Sequence, residues 1–198
     1  MEHNIFAIIV GHTPAKNETM LITPEHGLLY LFARGPAVPA VVHGHKYLLY
    51  GALRNARFTA DGGELIGVIQ HYFLQDLVFF HHVLELYRIT VPISAPAYEI
   101  YALLELLFVS KQPKNIPLFK KLFIATFFAR TGLVPEGPSM RDTRRFIALI
   151  SRDTDSMFES QEDCHNDTQL AAYVRACYEA HPYAHRLKTR PLAESGLL

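Results

Sequence analysis

Histidine is a plentiful residue able to do chemistry. There are eleven, with close pairs at His43-x-His45 and His81-His82. Imidazoles ligate zinc, but a zinc site needs three or four converging ligands. The two cysteines, Cys164 and Cys177, are spaced from these pairs in a way that fits no tetrahedral set. No metal and no other cofactor is therefore expected. Cys164 and His165 are neighbours in sequence, whereas nucleophilic catalysis needs a thiol and an imidazole that meet in space beside a third, orienting group. The chain has no glycine-rich phosphate loop and no Gly-x-Ser-x-Gly elbow. No catalytic residue is assigned, and a hydrolase built on Cys164 or a histidine lacks a supporting constellation. The expectation is a binding protein, not an enzyme.

Two groups of residues have binding chemistry. In the first, Lys16, Arg34, Lys46, Arg54 and Arg57 alternate with Tyr30, Phe32, Tyr47 and Tyr50. Cations pair with phosphates and aromatic rings stack on bases, so these are the candidate DNA contacts. Tyr50 and Arg54 share strand parity and point the same way if no bulge intervenes. The same stretch contains Glu2, Glu18, Glu25, Asp61 and Glu64, which cancel its cations and predict modest, salt-sensitive binding with no sequence preference. In the second group, Lys111, Lys114, Lys120, Lys121 and Arg130 face Glu136 alone. A helix there sets Phe119, Phe123 and Phe127 on one stripe at i, i+4, i+8. An apolar groove with a cationic rim suits an acidic peptide with a free carboxylate, which makes Lys111, Lys114, Lys120, Lys121, Phe123, Phe127 and Arg130 the candidate partner contacts.

The elements that must position these groups change character near residue 71. Short apolar runs punctuated by Gly, Pro and Asn predict strands over Phe6–Val10, Thr19–Thr23, Leu28–Ala33, Tyr47–Asn55 and Glu64–Gln70. Pro24-Glu25-His26-Gly27 and Asp61-Gly62-Gly63 read as turns, with Gly27 free to take positive φ. Pro36 to Gly44 reads as a long loop. Five short strands in about 70 residues suit a small barrel, because closure removes the open edges of so small a sheet. Beyond residue 71 the apolar spacing becomes helical. Ser94 is a candidate helix cap. Helices are predicted over Tyr98–Val109, Leu118–Thr131 with Gly132 as its C′ residue, Met140–Ser151 and Gln169–Ala180. The fold class is thus α+β, a five-stranded β-barrel over residues 1–72 and an α-helical domain over 73–198 with a loosely ordered tail after His181.

Of 198 residues, 49% are hydrophobic and 19% charged, enough to build a core and to rule out global disorder. Lys and Arg together equal Asp and Glu at 19 each, which excludes a histone-like character. Arg141, Arg144, Arg145 and Arg152 precede an acidic run from Asp153 to Asp167 that has no Lys or Arg. No run approaches the roughly 20 apolar residues that span a bilayer, and Met1 to Asn4 has no basic leader region. Two cysteines cannot form a disulfide framework, so a reducing, cytoplasmic location is expected.

The opening of the chain resembles a known family. Ala7-Ile8-Ile9-Val10, His12-Thr13, Asn17-Glu18-Thr19-Met20-Leu21, Glu25-His26-Gly27-Leu28-Leu29 and Ala33-Arg34-Gly35 follow in the order and spacing of the bacterial DNA repair family RecO. The resemblance runs over residues 5–137, through the apolar helix pair from His71 to Val109 and the segment closing in Arg130-Thr131-Gly132-Leu133-Val134-Pro135. It implies an N-terminal OB-fold and a helical domain. It implies a recombination mediator that binds single- and double-stranded DNA, anneals strands, pairs with a RecR-like protein, docks the acidic C-terminal tail of single-stranded DNA-binding protein, and assists RecA loading. Two of the chain's departures from the family bear on what it binds. Pro36-Ala37-Val38-Pro39 follows Gly35 where the family has Arg and Lys, and the four-cysteine zinc element of many members is absent. A second expectation therefore stands beside the first, a protein-interaction adaptor on the same scaffold with little or no DNA binding.

Overall fold

The computed structural model describes residues 2–13, 18–34, 37–71, 76–109, 115–133 and 167–189. Its contacts divide the chain into two compact units, Met1–Val109 and Ser110–Leu198.

In the first unit, β1 (Glu2–Thr13), β2 (Glu18–Thr23), β3 (Gly27–Ala33), β4 (Lys46–Arg54) and β5 (Arg57–Gly67) pair in the order β1-β2-β3-β5-β4, and β4 returns to β1. No strand is left with a free edge. All pairings are antiparallel except β3 with β5, which run parallel from Tyr30↔Arg57 to Ala33↔Ala60. Strand alternation builds the interior. Ile5, Ala7 and Ile9, Leu21, Leu29 and Leu31, Tyr47 and Leu49, and Phe58 and Ala60 form one buried cluster. Val38 and Val41, from the segment between β3 and β4, pack against it. The buried Tyr47 hydroxyl accepts from the Val42 N–H (3.0 Å) and donates to the Ala40 carbonyl (3.2 Å), so its polar end is satisfied.

The last strand begins seven residues earlier than the sequence suggests. Asp61-Gly62-Gly63 is not a turn but lies inside β5, at a register shift that pairs Tyr50 with Gly62 and Gly51 with Ala60. The extra residue is Asp61, on β5, so β4 keeps its alternation past the bulge. The glycines serve close approach here. A Cβ on Gly51 would stand 2.0 Å from the Thr59 carbonyl oxygen, and one on Gly63 2.7 Å from Leu49 Cδ2. The chain reverses instead at Asn55-Ala56, with Asn55 at φ 53°.

Helices α1 (Leu77–Thr90) and α2 (Tyr98–Val109) pack on β1 and β2, so this unit extends well past the change of periodicity near residue 71. That change marks where strands give way to helices; it does not mark the edge of a packed unit. Asp76 caps α1 by accepting from the Phe79 N–H (2.9 Å), and the Tyr87 hydroxyl donates to the Ile100 carbonyl (2.8 Å), joining the two helices. The loop between them seats the β2–β3 turn. Gly27 has φ 59°, and a Cβ there would lie 2.4 Å from the Ala95 oxygen. Ser94 is not a helix cap. It sits at φ 56° and donates its N–H to the Leu28 carbonyl (3.1 Å).

In the second unit, α3 (Ile116–Arg130) and α4 (Asp167–Ala180) pack together. Asn115 caps α3 by accepting from the Leu118 N–H (3.0 Å), and Gly132 at φ 71° ends it, with the Leu133 N–H reaching back to the Phe128 carbonyl (3.1 Å). Phe128 meets Tyr178 and His181 edge to face. A short 3-10 helix, Ala184–Arg186, follows. The helix expected over Met140–Ser151 lies outside the described residues. No helix among the described residues is long and apolar enough to cross a membrane.

Candidate nucleic-acid interface

The outer face of β3, β5 and β4 is built by the same alternation that fills the barrel. Leu29 and Leu31 point inward on β3, so Tyr30 and Phe32 point outward. Phe58 and Ala60 point inward on β5, so Arg57 and Thr59 point outward. On β4 the bulge leaves parity intact, and Tyr50, Ala52 and Arg54 share the outer side. The Arg34 N–H donates to the Ala60 carbonyl (2.8 Å), one step beyond the last β3–β5 pair.

Three of the five candidate DNA contacts come together on this face. Arg54 and Arg57 are paired in register across the Asn55-Ala56 turn, and both are exposed. Arg34 is exposed at the far end of β3, about 13 Å along the strand direction from Arg57, which pairs with Tyr30, at about 3.3 Å per residue. Between them lies Phe32, 36% exposed, with the Arg57 guanidinium 5.2 Å from its ring centroid. Tyr50 is also on this face. Its hydroxyl donates to the Glu64 carboxylate, which raises the Tyr50 pKa above the ordinary phenol value. Tyr50 is therefore a neutral ring whose proton is already engaged. The acids on the face are Asp61 at the bulge and this Glu64.

Lys46 does not join them. Its ammonium forms an ion pair with Glu105 of α2 and stands 5.7 Å from the Phe6 ring centroid and 5.9 Å from that of Tyr101. Its position at the start of β4, against α2, makes it a tie between barrel and helix. Lys16 lies outside the described residues. Of the four aromatic candidates, Tyr47 is core, Phe32 is exposed, and Tyr30 and Tyr50 are half-buried on the outer side.

The partner groove expected on α3 is corrected more sharply. Phe119, Phe123 and Phe127 are fully buried, and Lys120 and Lys121 are only 9% and 8% exposed. The helix is buried around its whole circumference from Leu118 to Phe128, so the phenylalanine stripe is core and the lysines frame no open apolar slot. Arg130 is half-buried in the last turn. Lys111 and Lys114 lie outside the described residues.

Burial pushes the Cys177 thiol up to about 12, far from the thiolate a nucleophile needs. Cys164 lies outside the described residues. Among the described residues, no three His, Cys, Asp or Glu side chains are placed to hold a metal ion. As the neighbouring histidines at 81 and 82 suggest, one is exposed and one buried, His81 and His82 respectively. No protein-family model matches the chain, and no curated protein is a significant match to it.

Proposed function

We propose that the chain is a RecO-like recombination mediator whose first unit carries an OB-fold and binds DNA on the outer face of β3, β5 and β4. The observation that carries the reading is the placing of Arg34, Arg54 and Arg57 on one outer face with the exposed ring of Phe32, which Arg57 overlies. Cations beside an aromatic platform hold the phosphates of a strand and stack its bases without reading sequence. The OB-fold reading draws support from the strand order β1-β2-β3-β5-β4, closed on itself with one parallel pair, as in a five-stranded Greek-key barrel. The mediator role, with strand annealing, a RecR-like partner, the tail of single-stranded DNA-binding protein and assistance to RecA, rests on the resemblance of residues 5–137. With the α3 groove filled by core, no surface is assigned to the protein partners.

The adaptor reading has its own support in Asp61 and Glu64, which share the arginine face, and in the diversion of Lys46 to Glu105. A salt titration of labelled single-stranded DNA separates the two. Three phosphate contacts predict a log–log slope of about −2, from roughly −0.7 per contact on single strands. Binding with that slope supports the mediator. No binding, or a slope near zero, leaves the adaptor.

A further inference from the structure

Beyond α4 the chain turns sharply around one buried ring. His181 is only 3% exposed. Its N–H donates to the Tyr178 carbonyl (3.3 Å), continuing the last turn of α4. Its Nδ1 lies 3.0 Å from the Tyr183 backbone nitrogen. A backbone N–H can only donate, so Nδ1 accepts and the proton of the neutral ring sits on Nε2. The His181 ring meets Phe128 of α3 at 5.8 Å and Tyr183 at 6.0 Å between centroids, both edge to face. The Arg186 guanidinium stands 5.6 Å from the Tyr183 centroid, and the Arg186 N–H donates to the Tyr183 carbonyl (2.9 Å). Leu187, buried, closes the turn.

We propose that residues 181–187 are an acid-released clasp, shut while His181 Nδ1 accepts the Tyr183 N–H and opened when that nitrogen takes a proton. A proton on Nδ1 turns the acceptor into a donor, so two N–H groups face each other and the bond is lost. It also places a charge in a site lined by Phe128 and Tyr183. That charge is a second cation beside the ring that Arg186 already overlies.

A helix C-terminus ordinarily favours a cation, but burial outweighs that here and lowers the His181 pKa below its ordinary 6.5. Among the described residues, the charged and titratable groups at this end of the packed elements are Arg130 of α3, Arg175, Cys177, Tyr178 and Glu179 of α4, and Tyr183, His185, Arg186 and Lys188 beyond it. Glu179, the one acid side chain of the Asp/Glu type in this set, is exposed and does not offset the burial. The proton therefore binds more readily to the opened clasp. Closure is at full strength above pH 6.5 and weakens as pH falls from there toward the lowered pKa, by up to about tenfold in the opening equilibrium per pH unit for one proton.

Hydrogen exchange at the Tyr183 and Arg186 amides of the full chain, corrected for intrinsic rates and followed by NMR, tests this at pH 7.5 and 5.5. The clasp predicts at least about a threefold loss of protection at pH 5.5, with amides in the middle of α3 unchanged. His181→Asn sets a non-titrating oxygen near the Nδ1 position and should abolish the loss. Protection that is independent of pH in the wild type, or an equal loss in His181→Asn, overturns the clasp. If His181→Asn is open at both pH values or does not fold, the wild-type His181 ring decides. A titration midpoint below 6.5, followed by the Tyr183 amide shift, supports the clasp. A midpoint at or above 6.5, or an amide that does not follow the ring, refutes it.

Discussion

Arg57 lays its guanidinium over the ring of Phe32, 5.2 Å from the centroid, across the parallel seam between β3 and β5. The contact orders a cation and an aromatic surface together on the outside of the barrel before any ligand arrives. A stacked base needs such a platform, and ordering it beforehand lowers the entropy cost of binding.

Phe32→Ala removes the platform and leaves all three arginines. Stacking contributes about 1–3 kcal/mol per base, so affinity for single-stranded DNA is expected to fall about tenfold, with the salt slope kept. Fluorescence anisotropy with a labelled oligonucleotide measures both quantities. A change of slope without a loss of affinity contradicts the platform.

Lys46→Met probes the opposite assignment. Losing the Glu105 pair and the Phe6 and Tyr101 contacts is expected to lower stability by about 1 kcal/mol, because the pair is partly exposed. DNA affinity should stay within about twofold. Denaturant unfolding and the same binding assay report the two effects. A tenfold loss of affinity in a folded variant returns Lys46 to the interface.

Gly51→Ala tests the close packing of β4 on β5 beside the Asp61 bulge. With the new Cβ 2.0 Å from the Thr59 oxygen, the backbone must shift. The expected cost is about 2–3 kcal/mol, in the range of overpacked sites. Urea unfolding checks it, and an unchanged midpoint contradicts the close packing at the bulge.

Cys177, with its thiol pushed to about 12 and its side chain buried, should react with a thiol reagent at pH 8 only as fast as the protein unfolds. The Cys164→Ser variant isolates it. Labelling within the mixing time, in the absence of denaturant, contradicts the buried site.

The strands and helices were legible where apolar period and punctuation agree. Tyr98–Val109 has the boundaries the sequence predicts, and Gly27 and Gly132 take the positive φ their turn and cap require. Asp61-Gly62-Gly63 misled because a glycine pair serves a turn and a bulge equally well, and only the clash with Leu49 and the register opposite Gly51 distinguish them. Arg54 and Arg57 could be placed from strand parity, but the role of Lys46 depended on Glu105, 59 residues away in sequence. No local pattern predicts that encounter. Phe123 and Phe127 were read correctly as a helical stripe, yet a helix buried on all sides carries the same i, i+4 spacing as one with a single apolar face. The extra apolar residues between and beside them, Leu122, Ile124, Ala125 and Phe128, are the signal that separates the two.

The central claim, that Arg54 and Arg57 with Arg34 form the nucleic-acid face, is tested most directly by reversing charge at the hairpin. Affinity for a labelled single strand at low salt is measured for the wild type and for Arg54→Glu, Arg57→Glu. Both side chains are exposed and hold no core position, so the fold should survive with stability changed by about 0.5 kcal/mol or less per site. The expected result is a loss of affinity of at least about tenfold, with the wild-type salt slope of about −2 reduced toward zero. Equal binding by the folded double variant would place the DNA elsewhere and contradict the assignment.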